Sequence, residues 1–368
     1  MTDPTHDTGS NDREDGMLRK SVSKYSMSAI FATGLALAVA AEAQAQTVLR
    51  FADYGPNRGS RAEEQMWFAD ELAKRTDGRV RIEFHWGGAL LSATGMFDGI
   101  ASGVAAMGAI TAAYFPQQLY AYSVGDAMIA VPDSVASSMA LYEMGTSDEQ
   151  MLAEFDRSGL VYIANYTVGP IQFICTGGPI GSLDDLRGKK IRYSGDIGKV
   201  LEQLGANAVP LPLPETYQGL DTGLVDCAQT YAYTAVSYKL FEVTNQYLDV
   251  NWATLGSNGV LMNKSQFEAL GEEDQQVLRE LGREFTERLA RRIEGDNREV
   301  IENFRAGYEG RTIDVVTPGP EEIARLDELG QPFVDEWVAR GASVGADGAR
   351  LLETYRTLTT KYATEAQE

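Results

Sequence analysis

The chain has 368 residues, 44% hydrophobic and 23% charged, an ordinary globular composition with room for two domains. Its formal charge of −21 argues against nucleic acid or an anionic membrane as a partner, because binding phosphate requires a basic surface. Composition therefore excludes the nucleic-acid-binding class and leaves most others open.

The first 45 residues have the pattern of an export signal. Residues 1–16 are polar and acidic, and three basic residues then precede an apolar run over 29–41. Ala43-Gln-Ala45 follows as a small-x-small cleavage site, and the apolar run is too short to span a membrane. We therefore predict cleavage near Ala45 and a mature chain exported to the periplasm, with translation starting at Met1 or Met17.

The first half of the mature chain alternates strands with helices, which predicts a parallel sheet covered by helices. We expect strands at 47–53, 79–85 and 105–110, helices at 61–76 and 93–103, a helical segment at 134–157 and a strand at 159–166.

The second half repeats this alternation on a smaller scale. We expect strands at 172–176, 189–193, 208–211, 224–229, 258–263 and 312–316, and helices at 197–204, 214–220, 272–308, 321–339 and 348–362. At 1.5 Å per residue the helix over 272–308 would span roughly 50 Å, long enough to lie across two lobes.

Arg192 is the residue of this half that most needs a partner. The segment Ser182–Arg187 has a helix-capping pattern and Gly188 ends it, so Lys189–Tyr193 should run inward as a buried strand. A buried guanidinium requires an anion, and its planar donors suit a carboxylate. The carboxylate belongs either to a ligand or to a buried acid of the protein, and the residues alone leave both open.

Catalytic and metal-binding patterns are missing from the sequence. The two histidines, His6 and His85, are too few for a histidine-rich metal cluster, and neither belongs to a serine-histidine-aspartate pattern. There is no glycine-rich phosphate loop. We predict no catalytic residue, no metal site and no cofactor, with His85 an ordinary strand residue.

The two cysteines, Cys175 and Cys227, are expected to form a disulfide, since an exported chain with an even cysteine count favours pairing. Closing such a long loop would contribute about 4 kcal/mol on chain-entropy arguments. Two buried free thiols are the alternative.

Aromatic residues cluster at the ends of the predicted strands. In an open α/β sheet the loops at these ends line the ligand crevice. A cleft of aromatic rings with one arginine suits a small organic anion or a zwitterion. The residues are Tyr54, Trp86, Tyr114, Tyr166, Tyr193, Tyr231, Tyr233 and Trp252.

Four motifs, in order, resemble the solute-binding proteins of tripartite ATP-independent periplasmic (TRAP) transporters, the DctP type. They are Asp185-Leu-Arg-Gly-Lys-Lys-Ile-Arg192, Leu204-Gly-Ala206, Pro214-Glu-Thr-Tyr217 and Gly223-Leu-Val-Asp226. The resemblance covers residues 46–365. It implies a periplasmic receptor, not an enzyme, that closes on one small organic acid and delivers it to the membrane permease subunits.

The resemblance also implies a fold. That fold is α/β and periplasmic-binding-protein-like, with two α/β lobes joined by a hinge and a long helix spanning both lobes. Lobe I is then expected at 46–171 and 256–298, and lobe II at 172–255 and 299–365.

For the site, the resemblance implies that Arg192 holds the carboxylate of the ligand. Gly178 stands where some members have a second arginine, so Arg192 is expected to be the only fixed positive charge of the cleft. Family alignment and the aromatic pattern together give the other expected ligand-binding residues, which are Tyr54, Trp86, Tyr114, Tyr166, Leu213, Thr230 and Trp252.

Two alternatives stay open. The density of aromatic residues also suits a zwitterionic osmolyte (betaine-, ectoine- or sulfonium-like), with its cationic head on the rings and its carboxylate on Arg192. An exported enzyme using the same cleft is the more remote alternative, because its only candidate bases are His85 and the carboxylates.

Overall fold

The computed structural model describes residues 46–131 and 133–365, so the predicted signal peptide lies outside the described residues. The strands are β1 (Thr47–Ala52), β2 (Val80–His85), β3 (Met107–Thr111), β4 (Leu160–Tyr166), β5 (Pro170–Cys175), β6 (Lys190–Tyr193), β7 (Asn207–Pro210), β8 (Cys227–Thr230), β9 (Gln246–Thr254), β10 (Asn258–Asn263) and β11 (Asp314–Val316). The α-helices are α1 (Ser60–Arg75), α2 (Met96–Ala101), α3 (Ser134–Ser147), α4 (Glu149–Arg157), α5 (Ile197–Gln203), α6 (Thr216–Asp221), α7 (Ala232–Ser237), α8 (Lys264–Glu268), α9 (Glu272–Ala306), α10 (Pro320–Arg340) and α11 (Gly348–Glu365). Within this part of the chain no helix combines the length and apolarity needed to cross a membrane.

The strands form two sheets. The first has the order β2-β1-β3-β10-β4, with β1 parallel to β2 and β3, and β10 antiparallel to its two neighbours. The second has the order β11-β9-β5-β8-β6-β7, with β6 parallel to β7 and β8. Both predicted β-α-β-α-β sets are therefore present as parallel strands, and the mixed α/β, two-lobe fold class is confirmed.

Strand β9 has no counterpart among the predicted elements. The backbone of β9 departs from regular β geometry, because Asn251 and Ala253 have positive φ angles of 48° and 46°. The pairing of β9 with β5 shifts register along the same stretch. An irregular strand of this kind lacks the clean alternation that sequence analysis relies on.

Helix α9 is the element that packs against both sheets. It contacts α1, α3 and β4 on one side of the molecule, and α7 and β11 on the other. Leu278, Leu281 and Phe285 of the expected apolar stripe are buried. Gly282 does not interrupt the helix; a Cβ at this position would collide with the carbonyl oxygen of Ile163, so glycine allows α9 to approach β4 closely.

The helical segment expected over 134–157 is two helices, α3 and α4. The break lies at Asp148, whose carboxylate accepts hydrogen bonds from the backbone N–H groups of Gln150 (2.9 Å) and Met151 (3.2 Å). Aspartate is a favoured N-cap residue, so Asp148 starts a second helix. Hydrophobic periodicity alone indicates a single continuous helix over this segment.

The last helix, α11, packs against α3, which lies on the first sheet. Tyr355 and Ser137 share a hydrogen bond of 2.7 Å across this contact, and Arg350 pairs with Asp148 (2.7 Å). This placement differs from the expectation that the whole of 299–365 belongs to the second lobe.

Over residues 46–131 and 133–365 the chain passes from one sheet to the other three times: between β4 and β5, between β9 and β10, and along α9. Cleft-lining loops from both sheets can therefore meet around one ligand. A hinge motion at these crossings, and the lobe boundaries themselves, stay predictions.

Candidate functional site

Arg192 is buried on β6 without an acidic partner. Its side chain is 1% exposed, its Nε donates to the carbonyl oxygen of Leu211 (2.8 Å), and its Nη1 donates to that of Gln229 (2.9 Å). Among the described residues it forms no salt bridge with aspartate or glutamate. The structural ion pair left open by the sequence is therefore not found there. The backbone holds the guanidinium in place and leaves its charge unbalanced.

Tyr114 brings the first sheet to Arg192. It lies in the short 3-10 turn after β3, and its hydroxyl is 3.5 Å from Nη2 of Arg192. The same hydroxyl accepts the backbone N–H of Leu213 at 3.0 Å. Nη2 is consequently the part of the guanidinium that faces the space between the loops of the two sheets.

These groups enclose a narrow cavity of about 30 Å³, which has room for one or two water molecules. Any molecule larger than a few atoms therefore requires the walls to move apart before it can enter. The cavity is lined by Tyr54, Arg61, Thr111, Tyr114, Tyr166, Val168, Arg192, Ser194, Leu213, Tyr231, Tyr233, Tyr238, Leu255 and Asn258.

Five of the predicted ligand-binding residues come together on this lining: Arg192, Tyr54, Tyr114, Tyr166 and Leu213. Tyr54 and Tyr114 meet edge to face, with ring centroids 6.2 Å apart. The aromatic pattern therefore located a real cluster of rings around the arginine.

Three predicted residues do not line the cavity. Trp86 follows the edge strand β2 and stacks on Phe84, with ring centroids 4.7 Å apart. Thr230 is fully buried and shares a hydrogen bond with Thr234 (2.8 Å). Trp252 donates its indole N–H to Asp327 of α10 (2.7 Å). Each of these side chains contacts another residue of the protein outside the cavity. The position of a residue along a strand does not predict such contacts.

Arg61 is a cavity residue that the sequence did not indicate. It is 5% exposed, and its guanidinium pairs with the fully buried carboxylate of Asp53, which also accepts the backbone N–H of Gly55 at 2.6 Å. Burial alone lowers the pKa of Arg61, but the adjacent Asp53 raises that pKa well above its usual value. Arg61 lies in the first turn of α1 beside the acidic Glu63 and Glu64, so nothing local marks it as buried.

The expectation of a single positive charge in the cleft is therefore wrong, although Asp53 neutralises the second one. Gly178, the position expected to replace a second arginine, lies in an exposed turn, with nothing within 4 Å of a Cβ placed there. The other unpredicted lining residues are Thr111, Val168, Ser194, Tyr238, Leu255 and Asn258.

The tyrosines of the cavity offer neutral hydroxyl groups. Burial raises the pKa of Tyr233 to about 12, so it stays protonated at neutral pH. The hydroxyl of Tyr54 lies 2.5 Å from that of Thr111, which in turn donates to the side-chain oxygen of Asn258 (2.6 Å). The hydroxyl of Tyr166 has no partner among the described residues. Such groups hydrogen-bond to polar atoms of a ligand without adding charge.

Cys175 and Cys227 form a disulfide in the structure, as predicted from the export pattern. The two residues face each other in the antiparallel pairing of β5 with β8. Since β8 also carries Gln229, whose carbonyl oxygen accepts from Arg192, the bond secures the strand that positions the guanidinium.

Metal-ligand clusters are absent among the described residues, where no group of three or more histidine, cysteine, aspartate or glutamate side chains is suitably placed. His85 ends β2 and does not line the cavity.

Loops from two α/β sheets enclose an arginine that has no acidic partner among the described residues, an arrangement that suits the binding of a small anionic solute. The chain belongs to the family of bacterial extracellular solute-binding proteins, family 7 (DctP), whose sequence profile matches residues 51–340.

Individual relatives agree with this assignment. The 2,3-diketo-L-gulonate-binding periplasmic protein of Escherichia coli K12 is 25% identical, over 87% of this chain and 95% of its own. The ectoine-binding periplasmic protein of Halomonas elongata is 25% identical over 58% of this chain and 66% of its own. A TRAP solute-binding protein of Rhodoferax ferrireducens, solved with copurified benzoate, has the same fold. Its TM-score is 0.76 at 21% identity, covering 87% of this chain and all of the other.

Proposed function

We propose that the protein is the extracytoplasmic receptor of a TRAP transporter and captures a small organic acid between its two lobes. The carboxylate of the acid binds Arg192, and the loaded receptor delivers the solute to the membrane permease subunits. The observation that carries this proposal is the burial of Arg192 without an acidic partner among the described residues.

The electrostatics of the cavity support a carboxylate. A buried charge is costly unless it is paired, and the oxygens of Leu211 and Gln229 supply only neutral acceptors. Arg61 is already compensated by Asp53, so the lining carries one unbalanced positive charge. One carboxylate balances it, and the fork of a guanidinium matches the two carboxylate oxygens.

A zwitterionic osmolyte is the second candidate, and two observations favour it. Five tyrosines other than Tyr114 line the cavity, and their rings can face a cationic head. One of the relatives is a protein that binds ectoine. The carboxylate of the osmolyte would still occupy Arg192.

An enzymatic role for the cavity has little chemical support. Its lining contains no histidine, aspartate or glutamate, so a general base is missing from the groups nearest Arg192. Membership of a solute-binding family points to capture rather than turnover. Export by the signal peptide over residues 1–45 would place the receptor in the periplasm, where the permease can reach it.

The test starts from protein that has been unfolded and refolded to remove any carried-over solute. Thermal unfolding is then followed with monocarboxylates, dicarboxylates, sugar acids and zwitterions, and we expect at least one carboxylate to raise the melting temperature. Mass spectrometry of the solute that copurifies with untreated protein identifies the natural ligand directly. If no carboxylate-bearing solute stabilises the protein, the proposal is wrong.

A further inference from the structure

A second, larger chamber adjoins the narrow cavity. It has a volume of about 410 Å³ and shares two lining residues with the cavity, Tyr114 and Ser194. A solute whose carboxylate lies on Arg192 would pass these two residues to place the rest of its body in the chamber. Phe333 and Trp337 of α10 supply an apolar wall for that body.

Asp126 lines the chamber and has one carboxylate oxygen without a partner among the described residues. It ends the short 3-10 helix after Ala121, and its Oδ1 accepts the backbone N–H of Ser257 at 2.9 Å. Its Oδ2 is buried and has no hydrogen-bond partner among the described residues. A buried carboxylate oxygen without a donor is unfavourable, so a solute donor that reaches this atom as the chamber walls move would be bound strongly.

We propose that Asp126 is a second recognition residue, whose Oδ2 accepts a hydrogen bond from an N–H group carried by the bound carboxylate. This inference rests on the proposed function. It narrows the solute class to organic acids that carry an N–H donor, charged or neutral, and it excludes plain aromatic or aliphatic acids as the preferred ligand.

The charged groups that line the cavity and the chamber are complementary to such a solute. Burial raises the pKa of Tyr231, Arg192 lowers it and Asp126 raises it, so both charged groups lie near enough to act on this cavity residue. Burial also raises the pKa of Asp126 to about 7, and a donor or cation in the chamber would favour its ionised form. Arg192 and an ionised Asp126 together balance a zwitterion.

The other charged groups of the chamber are already engaged or differently placed. Asp196 lies 3.4 Å from Lys199 and is one-third exposed, so its charge is compensated. The guanidinium of Arg340 lies 5.4 Å from the ring centroid of Tyr120, and its buried Nε has no partner among the described residues. A dicarboxylate reaching for Arg340 is therefore the competing solute class, and the experiment includes one.

The experiment measures binding by titration calorimetry on refolded protein, with probes that differ in the N–H group. Ectoine is compared with cyclohexanecarboxylate, L-pyroglutamate with cyclopentanecarboxylate, and succinate serves as the dicarboxylate. We expect ectoine or L-pyroglutamate to bind wild type at least about tenfold more tightly than its donor-free partner, because a hydrogen bond to a charged group contributes that much or more.

We expect the variant Asp126→Asn to lose the preference for the N–H-bearing probe of each pair. The asparagine oxygen still accepts from Ser257, so the loop is kept, while its NH₂ group replaces the Oδ2 acceptor. Asp196→Asn, on the same chamber but with a lysine partner in wild type, should leave the preference intact. Equal melting temperatures of the two variants without ligand show that neither has simply unfolded.

The proposal is overturned by any of three results: no preference within both probe pairs, a preference that survives Asp126→Asn, or tighter binding of succinate. Survival would mean that another group of the site selects the N–H-bearing probes, because asparagine lacks the Oδ2 acceptor. If donor-free carboxylates bind the wild type as tightly as their N–H-bearing partners, and Arg192→Ala abolishes that binding, the proposal for Asp126 is wrong. The proposed receptor function still holds in that case. Failure of every carboxylate to bind overturns both proposals.

Discussion

The two buried arginines of the cavity differ in whether an acidic side chain of the protein balances their charge. Arg61, from α1, pairs with Asp53 at the end of β1, so its charge is satisfied without a ligand. Arg192, from β6, is held by the carbonyl oxygens of Leu211 and Gln229, which fix its direction and leave its charge unbalanced. Burial alone therefore does not separate the two arginines; among the described residues they differ in whether an acid lies beside them.

The difference also assigns the two walls of the cavity different roles. The wall contributed by the first sheet is electrically neutral and offers hydroxyl groups and rings. The wall contributed by the second sheet carries the charge. Under the proposed function, the carboxylate of a solute would bind the second wall, and the neutral wall would add no charge that repels or attracts it.

The largest effect is expected from Asp53→Ala, which leaves Arg61 buried and uncompensated. Breaking a buried pair by removing one partner costs about 3–5 kcal/mol, to be measured as the free energy of unfolding in urea. Adding Arg61→Met should recover part of the loss, because the double variant has no buried charge left. A single variant as stable as wild type would show that Asp53 and Arg61 are not coupled.

Replacing Arg192 by alanine should lower the affinity of the protein for its carboxylate solute. We expect binding of the carboxylate solute to weaken by about 2–5 kcal/mol, since the ligand carboxylate would be left without its partner. Arg192→Lys keeps the charge but loses the planar fork, and it should recover only part of the affinity. Unchanged affinity in the alanine variant would place the ligand elsewhere and remove the contrast between the two arginines.

Gly55→Ala tests how tightly the neutral wall is packed. A Cβ at Gly55 would overlap the guanidinium of Arg61, so the variant must shift the buried pair, at a cost of about 1–3 kcal/mol of unfolding free energy. Gly178→Ala is the matched control, because a Cβ there meets nothing within 4 Å. Equal stability of the two variants would contradict the close contact between Gly55 and Arg61.

The smallest effect is expected from Tyr114→Phe, which removes the hydroxyl between the two walls. Loss of the acceptor for the Leu213 N–H should cost about 1 kcal/mol in unfolding free energy. Tyr166→Phe serves as control, since its hydroxyl has no partner among the described residues and its loss should be nearly neutral. A larger cost for Tyr166→Phe than for Tyr114→Phe would reverse this assignment.

Much of the architecture followed from the sequence because it depends on local pattern. Alternation predicts the strands of both parallel sets, and a regular apolar stripe predicts α9. The pairing of Cys175 with Cys227 followed from an even cysteine count together with the predicted export signal. Arg192 stood out because a charge on a buried strand is rare enough to need a reason.

Tertiary structure alone decided which residues meet at the site. Arg61 and Asp53 are eight positions apart on different elements, and nothing in their spacing marks the pair as buried. Trp86 follows β2 and Trp252 lies within the unpredicted β9, and Phe84 and Asp327 engage them outside the cavity. Hydrophobic periodicity fixes the inward face of an element, whereas the partner across that face depends on contacts between segments distant in sequence.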